Sequence, residues 1–451
     1  MKVQSMTTGK IAPLLITFAL PLMAGNIFQE LYTVVDTMIV GQFLGVAALA
    51  AVGNGGWITW MLLGAVQGFT QGFANPVAQA FGAGDKERVR KNMANSIVLT
   101  AVISLVLLAI GEAVMIPLLK LLNTPAEIFD MSLLYLRIYY AGTPAIMAYN
   151  YAACHLRALG NSKDPLVAMI IASLTNIVLD ILFVGPMGMG IAGAVIATVI
   201  SQVVAAVYSF ICLFKIDFVY FKRGYFVPDA QLSGNLLYMG LPMALQNVIL
   251  SVGGLIVQFI VNQYGIIFIA GMTATNRLYG LLETAGISYG YAISTYVGQN
   301  RGAGEITRVR KGVKTGFVIG ILTSIVIAAV MLLFGKNILM LFISGTAEEI
   351  AATMTVAYRY LVIMSVLLPT LYCLHVLKFT LIGLGNSLYP MLSGVAEFVM
   401  RVASALIIPV HFGEMNLFFA EPIAWIGADI VMAVGYVVCM KKIGGEKRIG
   451  I

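Results

Sequence analysis

The stretch LYTVVDTMIVG, residues 31–41, decides how this chain is read. Asp36 stands in a run that is otherwise apolar or nearly so. A helix built from such a run belongs in a bilayer, where a central Asp costs roughly 2.5–3.5 kcal/mol. Acidic residues kept at that cost face a bundle interior or water and mark ion and proton routes. The segment is therefore read as a membrane crossing, with Asp36 as a working group.

The rest of the chain agrees. Of its 451 residues, 60% are hydrophobic and 10% charged, and the mean hydropathy is +0.93. Soluble domains carry about 25% charged residues, so this composition is that of a polytopic membrane protein. Twelve apolar stretches are long enough to cross, at 12–40, 47–80, 93–119, 128–156, 165–184, 190–214, 235–262, 267–297, 313–342, 351–381, 389–410 and 420–440. The basic start and the apolar run after it have no clear cleavage site, so an uncleaved first helix is expected.

The net charge of +7 is a topology signal. An even number of crossings puts both termini on one side. That side collects 21 basic residues, among them Lys86, Arg88, Arg90, Lys91, Arg308, Arg310, Lys311 and the terminal Lys2, Lys447 and Arg448; the other side has Lys120 and Lys336. By the positive-inside rule both termini are cytoplasmic, in a multi-pass plasma-membrane protein. No nucleic-acid partner is expected: the aromatic and basic stretch 214–226 suits an interfacial linker.

The chain is also written twice. QAFGAGDKERVRK (79–91) and QNRGAGEITRVRK (299–311) share eight of thirteen positions at an offset of 220. ALPLMAGN (19–26) matches GLPMALQN (240–247), and LGNSKDP (159–165) matches LGNSLYP (384–390). Collinear matches predict two parallel six-helix halves, a plan in which transporters place their site near the midplane. The expected division is an N-lobe over 1–220, a cytoplasmic linker over 221–233 and a C-lobe over 234–451. The GAG loops read as glycine turns before basic helix starts. GMGIAG (188–193) fits a dinucleotide pattern on paper, but no strand precedes it. Gly64, Gly68 and Gly72 share a face of the second helix and permit close packing. The four cysteines read as buried hydrophobes, and the three histidines form no evident site.

Asp180 is the second acid deep in a span. Asn176, four residues earlier, points from the same helical face, and Thr198 in the next span would complete a polar cluster. Two carboxylates near each other do not both ionise readily, because desolvation and repulsion oppose the second charge. Reversible protonation answers that, and the same oxygens would equally coordinate a dehydrated Na⁺. A purely structural role is weighed against this, but neither acid has an obvious basic partner in the N-lobe spans. The matching C-lobe positions are Arg401 and Ala405. Arg401 follows Glu397 by four residues, which reads as a structural ion pair. Arg277 and Glu283 either line the cavity or pair with each other. Pro21 removes a helix hydrogen bond in the first span and allows a kink.

ALPLMAGNIFQELYTVVDTMIVGQFLG, the paired GAG junctions, LGNS in both halves and EPIAWIGAD near the end resemble the multidrug and toxic compound extrusion (MATE) transporters over nearly the whole chain. The resemblance implies an all-α integral membrane fold: twelve helices in two lobes around a V-shaped central cleft. It implies export of amphipathic, often cationic, compounds driven by H⁺ or Na⁺. It implies an N-lobe cation site of Asp36, Tyr32, Asn176, Asp180 and Thr198, with Pro21 bending the first helix. Asn26, Gln29, Arg277 and Glu283 are expected to line the cleft. Other branches of the family carry a functional Glu on the seventh helix. Leu250 falls at that place here, so the chain looks DinF-like and no C-lobe site of that kind is implied.

The expected function is antiport of a small organic molecule against H⁺ or Na⁺, by a monomer without cofactor or bound metal beyond Na⁺. Two alternatives are weighed. A lipid-linked precursor flippase of the same superfamily needs a basic cavity. A membrane enzyme needs a nucleophile–base pair or a metal cluster, and the sequence offers neither.

Overall fold

The structure, a computed structural model, describes residues 3–446 apart from position 344. Lys2, Lys447 and Arg448 of the orientation argument lie outside the described residues. The described chain is helical, with no strand. The helices of the first half are α1 (Ile11–Gly45), α2 (Ala47–Gly82), α3 (Lys86–Leu121), α4 (Ala126–Ala141), α5 (Thr143–Ala158), α6 (Lys163–Val184) and α7 (Gly190–Phe214). Those of the second half are α8 (Ala230–Val261), α9 (Ile266–Gly302), α10 (Ile306–Leu339), α11 (Ala347–Val366), α12 (Leu368–Gly383), α13 (Leu388–Phe412) and α14 (Ala420–Glu446).

Fourteen helices serve twelve predicted crossings because two crossings are broken. The fourth, 128–156, divides into α4 and α5 at Gly142, and the tenth, 351–381, into α11 and α12 at Leu367. A proline stands in the first turn of each second piece, Pro144 and Pro369. Proline lacks the N–H that a continuing helix would use, so it fits a first turn and not an interior. Ten helical segments are long and apolar enough to cross a membrane as they stand.

The repeated motifs fold alike. Gly84 and Gly304, the last glycines of the GAG loops, have φ of +75° and +74°, a left-handed turn that favours glycine. Asp85 Oδ1 then accepts the Arg88 N–H at 2.9 Å and caps α3. In the LGNS loops, Asn161 Oδ1 accepts the N–H of Lys163 and of Asp164. Asn386 Oδ1 does the same for Leu388 and Tyr389.

The chain forms two compact units. Residues 1–6 and 20–244 make the first; residues 7–19 and 245–451 make the second. Both changes of unit inside a helix fall beside a proline, Pro21 in α1 and Pro242 in α8, which are equivalent positions of the repeat. Within the first unit the segment before α8 is pinned to α3. Asn95 donates to the Tyr225 carbonyl and accepts the Asp229 N–H, and the Arg90 guanidinium lies 4.4 Å over the Tyr220 ring.

Of the three glycines aligned on α2, Gly68 and Gly72 pack directly against the backbone of α8. A Cβ on Gly68 would sit 2.3 Å from the Ala244 nitrogen, and one on Gly72 2.4 Å from the Gly240 Cα. With backbone against backbone, neither side can yield. Replacing Gly72 with Val should lower stability by about 1–3 kcal/mol, read as a fall in the melting temperature of the purified protein. Gly56, with open space around its Cα, should accept Ala without such a fall.

Candidate functional site

Three helices of the first unit bring the predicted N-lobe residues together. Tyr32 and Asp36 lie one turn apart on α1, Asn176 and Asp180 one turn apart on α6, and Thr198 on α7. The Asn176 amide donates to Thr198 Oγ1 at 3.4 Å, and Thr198 donates to its own helix at the Ala194 carbonyl, 3.2 Å away. Asn176 and Asp180 are both 0% exposed. Asp36 and Asp180 are direct electrostatic neighbours, and neither has a cationic side chain among its electrostatic neighbours.

The oxygens are what make this arrangement chemical. Both carboxylate oxygens of Asp180, Asp36 Oδ1 and Asn176 Oδ1 meet no donor among the described residues while both acids are ionised, and the two carboxyls lie within reach of one shared proton. Buried polar atoms are ordinarily partnered, and leaving one unpartnered costs about 1–3 kcal/mol, more for a charged group. A proton, a dehydrated monovalent cation or an organic cation would each satisfy this set. The donors are two carboxylates, an amide and a hydroxyl, all oxygen, which suits Na⁺ better than a thiophilic metal.

Tyr135 and Tyr139 of α4 also belong here, and the sequence reading missed them. Their rings stack with centroids 6.3 Å apart, and Tyr135 is an electrostatic neighbour of Asp36, Asp180 and Tyr32. Their four-residue spacing was the available signal. Glu30, exposed on α1, was likewise passed over. Asn26 and Gln29 are half-buried on the same helix.

The second unit is built differently. Arg401 Nη2 lies 2.6 Å from Glu397 and 2.8 Å from Glu421 of α14. Arg277 is exposed and makes no ion pair with Glu283; the partner of Glu283 is His375, 3.5 Å away. A Ser–His pair also occurs, Ser96 Oγ being 3.3 Å from His155 Nε2. Both residues are 0% exposed. His155 Nδ1–H donates to the Tyr151 carbonyl, and the single Ser96 hydroxyl proton has both the Met93 carbonyl and His155 Nε2 within reach, so this is a fully buried core contact. No group of three or more His, Cys, Asp or Glu among the described residues is placed to hold a metal.

Comparison with known proteins places the chain in a family. The MatE family profile matches residues 21–182 and 242–407. "Probable multidrug resistance protein YpnP" of Bacillus subtilis is 31% identical over 344 residues, 76% of this chain and 77% of that protein. "Probable multidrug resistance protein YoeA" of the same organism is 29% identical over 354 residues, 77% of this chain and 75% of that one. Among solved structures, a MATE in complex with MaL6 superposes with a TM-score of 0.89 at 22% identity, over 98% of both chains. At that identity the likeness bears on the fold alone.

The unpartnered oxygens predict a trade between stability and function. Asp180→Asn supplies amide donors beside Asp36 and removes a buried acid, and should raise stability by about 1 kcal/mol. Thermal melts of the purified variant at neutral pH check this; a lower melting temperature than wild type contradicts the reading of the site.

Proposed function

The chain belongs to the MatE family, and from that premise we propose that it is a secondary antiporter exporting amphipathic, cationic organic compounds in exchange for H⁺ or Na⁺. Transport across a membrane is the coarser statement and holds for the family. The finer one rests on Asp36 and Asp180, two neighbouring acids, the first half-buried and the second fully buried, without a cationic partner.

The pair works as a single exchangeable site. With an inorganic cation bound, its charge is met and an organic cation gains little by entering. With that cation gone, the carboxylates and the faces of Tyr32, Tyr135 and Tyr139 attract a flat or lipophilic cation, by charge and by cation–π contact. Each ligand lowers the affinity for the other by the same factor, which makes the coupling reciprocal. Exchange then needs only that the site be presented alternately to the two faces of the membrane. Pro21, where α1 passes from one unit to the other, is the position at which that helix bends. The protein acts as a monomer in the plasma membrane, with the basic ends of its helices in the cytoplasm.

A precursor flippase would need cationic side chains free to meet pyrophosphate. Arg401, the buried candidate, is already engaged by two carboxylates.

The test is efflux of ethidium or norfloxacin from vesicles under an imposed pH gradient and then an imposed Na⁺ gradient. Wild type should respond to at least one. Asp36→Asn and Asp180→Asn should each reduce gradient-driven efflux by at least about tenfold, the equivalent of about 1.4 kcal/mol of lost coupling. Normal efflux by the double variant overturns the proposal.

A further inference from the structure

The segment that joins α7 to α8 takes no part in the exchange at Asp36 and Asp180. Six of the thirteen residues 214–226 are Phe or Tyr, against 10% aromatic residues in the whole chain. Four rings form a continuous strip. Phe210 and Phe214 of α7 stack with centroids 6.0 Å apart, Phe214 meets Phe221 edge-on at 6.0 Å, and Phe221 meets Phe226 at 5.5 Å. The strip begins in the last turns of a membrane-spanning helix and continues past its end. Phe214, Tyr220 and Phe226 are exposed, and Val227 beside them is 66% exposed. A contiguous apolar surface of this kind marks a place of contact with a partner or a membrane.

The same segment lies along the first turns of α3. The Lys86 ammonium sits 5.6 Å over the Phe218 ring and the Arg90 guanidinium 4.4 Å over the Tyr220 ring. Lys222 is an electrostatic neighbour of Glu87. Most acids of this region are already committed. Asp85 caps α3, Glu87 pairs with Lys91 at 3.0 Å, and Asp229 accepts the N–H groups of Gln231 and Leu232 at the start of α8. Asp217, exposed, is the remaining acid of the segment. Lys86, Arg88, Lys222 and Arg223 are exposed and form no ion pair among the described residues. An exposed cation in water needs no partner, so the charges alone say little. Their place beside an exposed apolar strip is what selects a ligand.

A molecule that answers both features joins a phosphate to an apolar body. We propose that residues 214–227, with the start of α3, seat an anionic phospholipid of the leaflet that meets the basic helix ends. Its phosphodiester lies among Lys86, Lys222 and Arg223, and its acyl chains follow Phe214, Phe221 and Phe226 toward the bilayer. A zwitterionic phospholipid gains from the rings and little from the cations, because each Lys or Arg near an anionic lipid contributes through the net charge of the headgroup. A single-stranded RNA would use the cations and the ring faces, but Phe214 and Val227 offer it no polar edge, and the strip leads into a membrane span.

Native mass spectrometry of the purified full-length protein, stripped of co-purified lipid in detergent, measures the retention of added phosphatidylglycerol and of phosphatidylcholine with the same acyl chains. Phosphatidylglycerol should be held about fivefold more tightly or better. Lys222→Gln combined with Arg223→Gln should weaken its binding by about tenfold or more and leave phosphatidylcholine unchanged. Both side chains are exposed, so the double variant should keep the wild-type melting temperature in detergent. Lys120→Gln is the control. Lys120 stands near the opposite end of α3, about 50 Å from Lys86 at roughly 1.5 Å per residue, and its loss should leave both lipids bound as in the wild type. Equal retention of the two lipids, a double variant that still holds phosphatidylglycerol, or an equal loss on Lys120→Gln overturns the proposal. Displacement of the lipid by excess inorganic phosphate or by a short single-stranded RNA overturns it as well, since the site would then read an anion and not a lipid. No substrate or ion gradient is used, so this result and the efflux assay can fail separately.

Discussion

A carboxylate enclosed without a counter-ion is the constraint on which the rest of this molecule depends. Asp180 is fully buried, and the group its carboxyl meets is that of another acid, Asp36. A site of this kind holds charge badly when empty and well when a cation or proton is present. The surrounding unit must therefore be rigid enough to tolerate the empty state. Backbone-to-backbone approaches at Gly68 and Gly72 supply that rigidity through dispersion contacts that need no side chain.

The internal repeat sharpens the point, because the two halves meet the same problem in opposite ways. Where the first half has Asn176 and Asp180, the second has Arg401 and Ala405. Arg401 draws in Glu397 from its own helix and Glu421 from the next, so the charge there is largely closed by protein groups. The positions that turn and cap helices have kept their roles: Gly84 with Gly304, Asn161 with Asn386, Pro144 with Pro369. The duplicated parts that set the backbone are alike, while the buried polar positions have diverged. Function in this fold is placed by a few side chains on a conserved frame.

Much of this was legible in the sequence, for identifiable reasons. Apolar length and the asymmetry of Lys and Arg are one-dimensional signals, and the crossings follow from them. Asn176 and Asp180 share a face because they are four residues apart. The breaks at Gly142 and Leu367 were not read, since each lies inside a continuous apolar stretch and depends on one proline. Tyr135 and Tyr139 were missed because tyrosine in a span reads as packing or as an interface belt until its neighbours are known. Glu421 on Arg401 joins two consecutive helices and His375 on Glu283 joins helices far apart in the chain, and no local pattern announces either pair. The four-residue spacing of Glu397 and Arg401 accounted for the arginine too easily and hid the third member.

A carboxylate in a span is a better guide to function than a hydroxyl, and the reason is hydrogen-bond chemistry. A Ser or Thr in a helix can donate to a carbonyl three or four residues back. Thr33, Thr37, Thr70, Ser173, Ser251 and Thr284 all do so here, and each is thereby satisfied within its own helix. An ionised carboxylate only accepts, and inside a helix every backbone N–H is already committed to the ladder. Its partner must be another side chain, water or a ligand. Asp85 escapes this limit because it sits at a helix start, where free N–H groups remain. Asp36 and Asp180 sit well beyond the first turn of their helices and have no such recourse. In a helical membrane protein the position of an acid along its helix therefore separates a cap from a candidate binding group, before any tertiary contact is known.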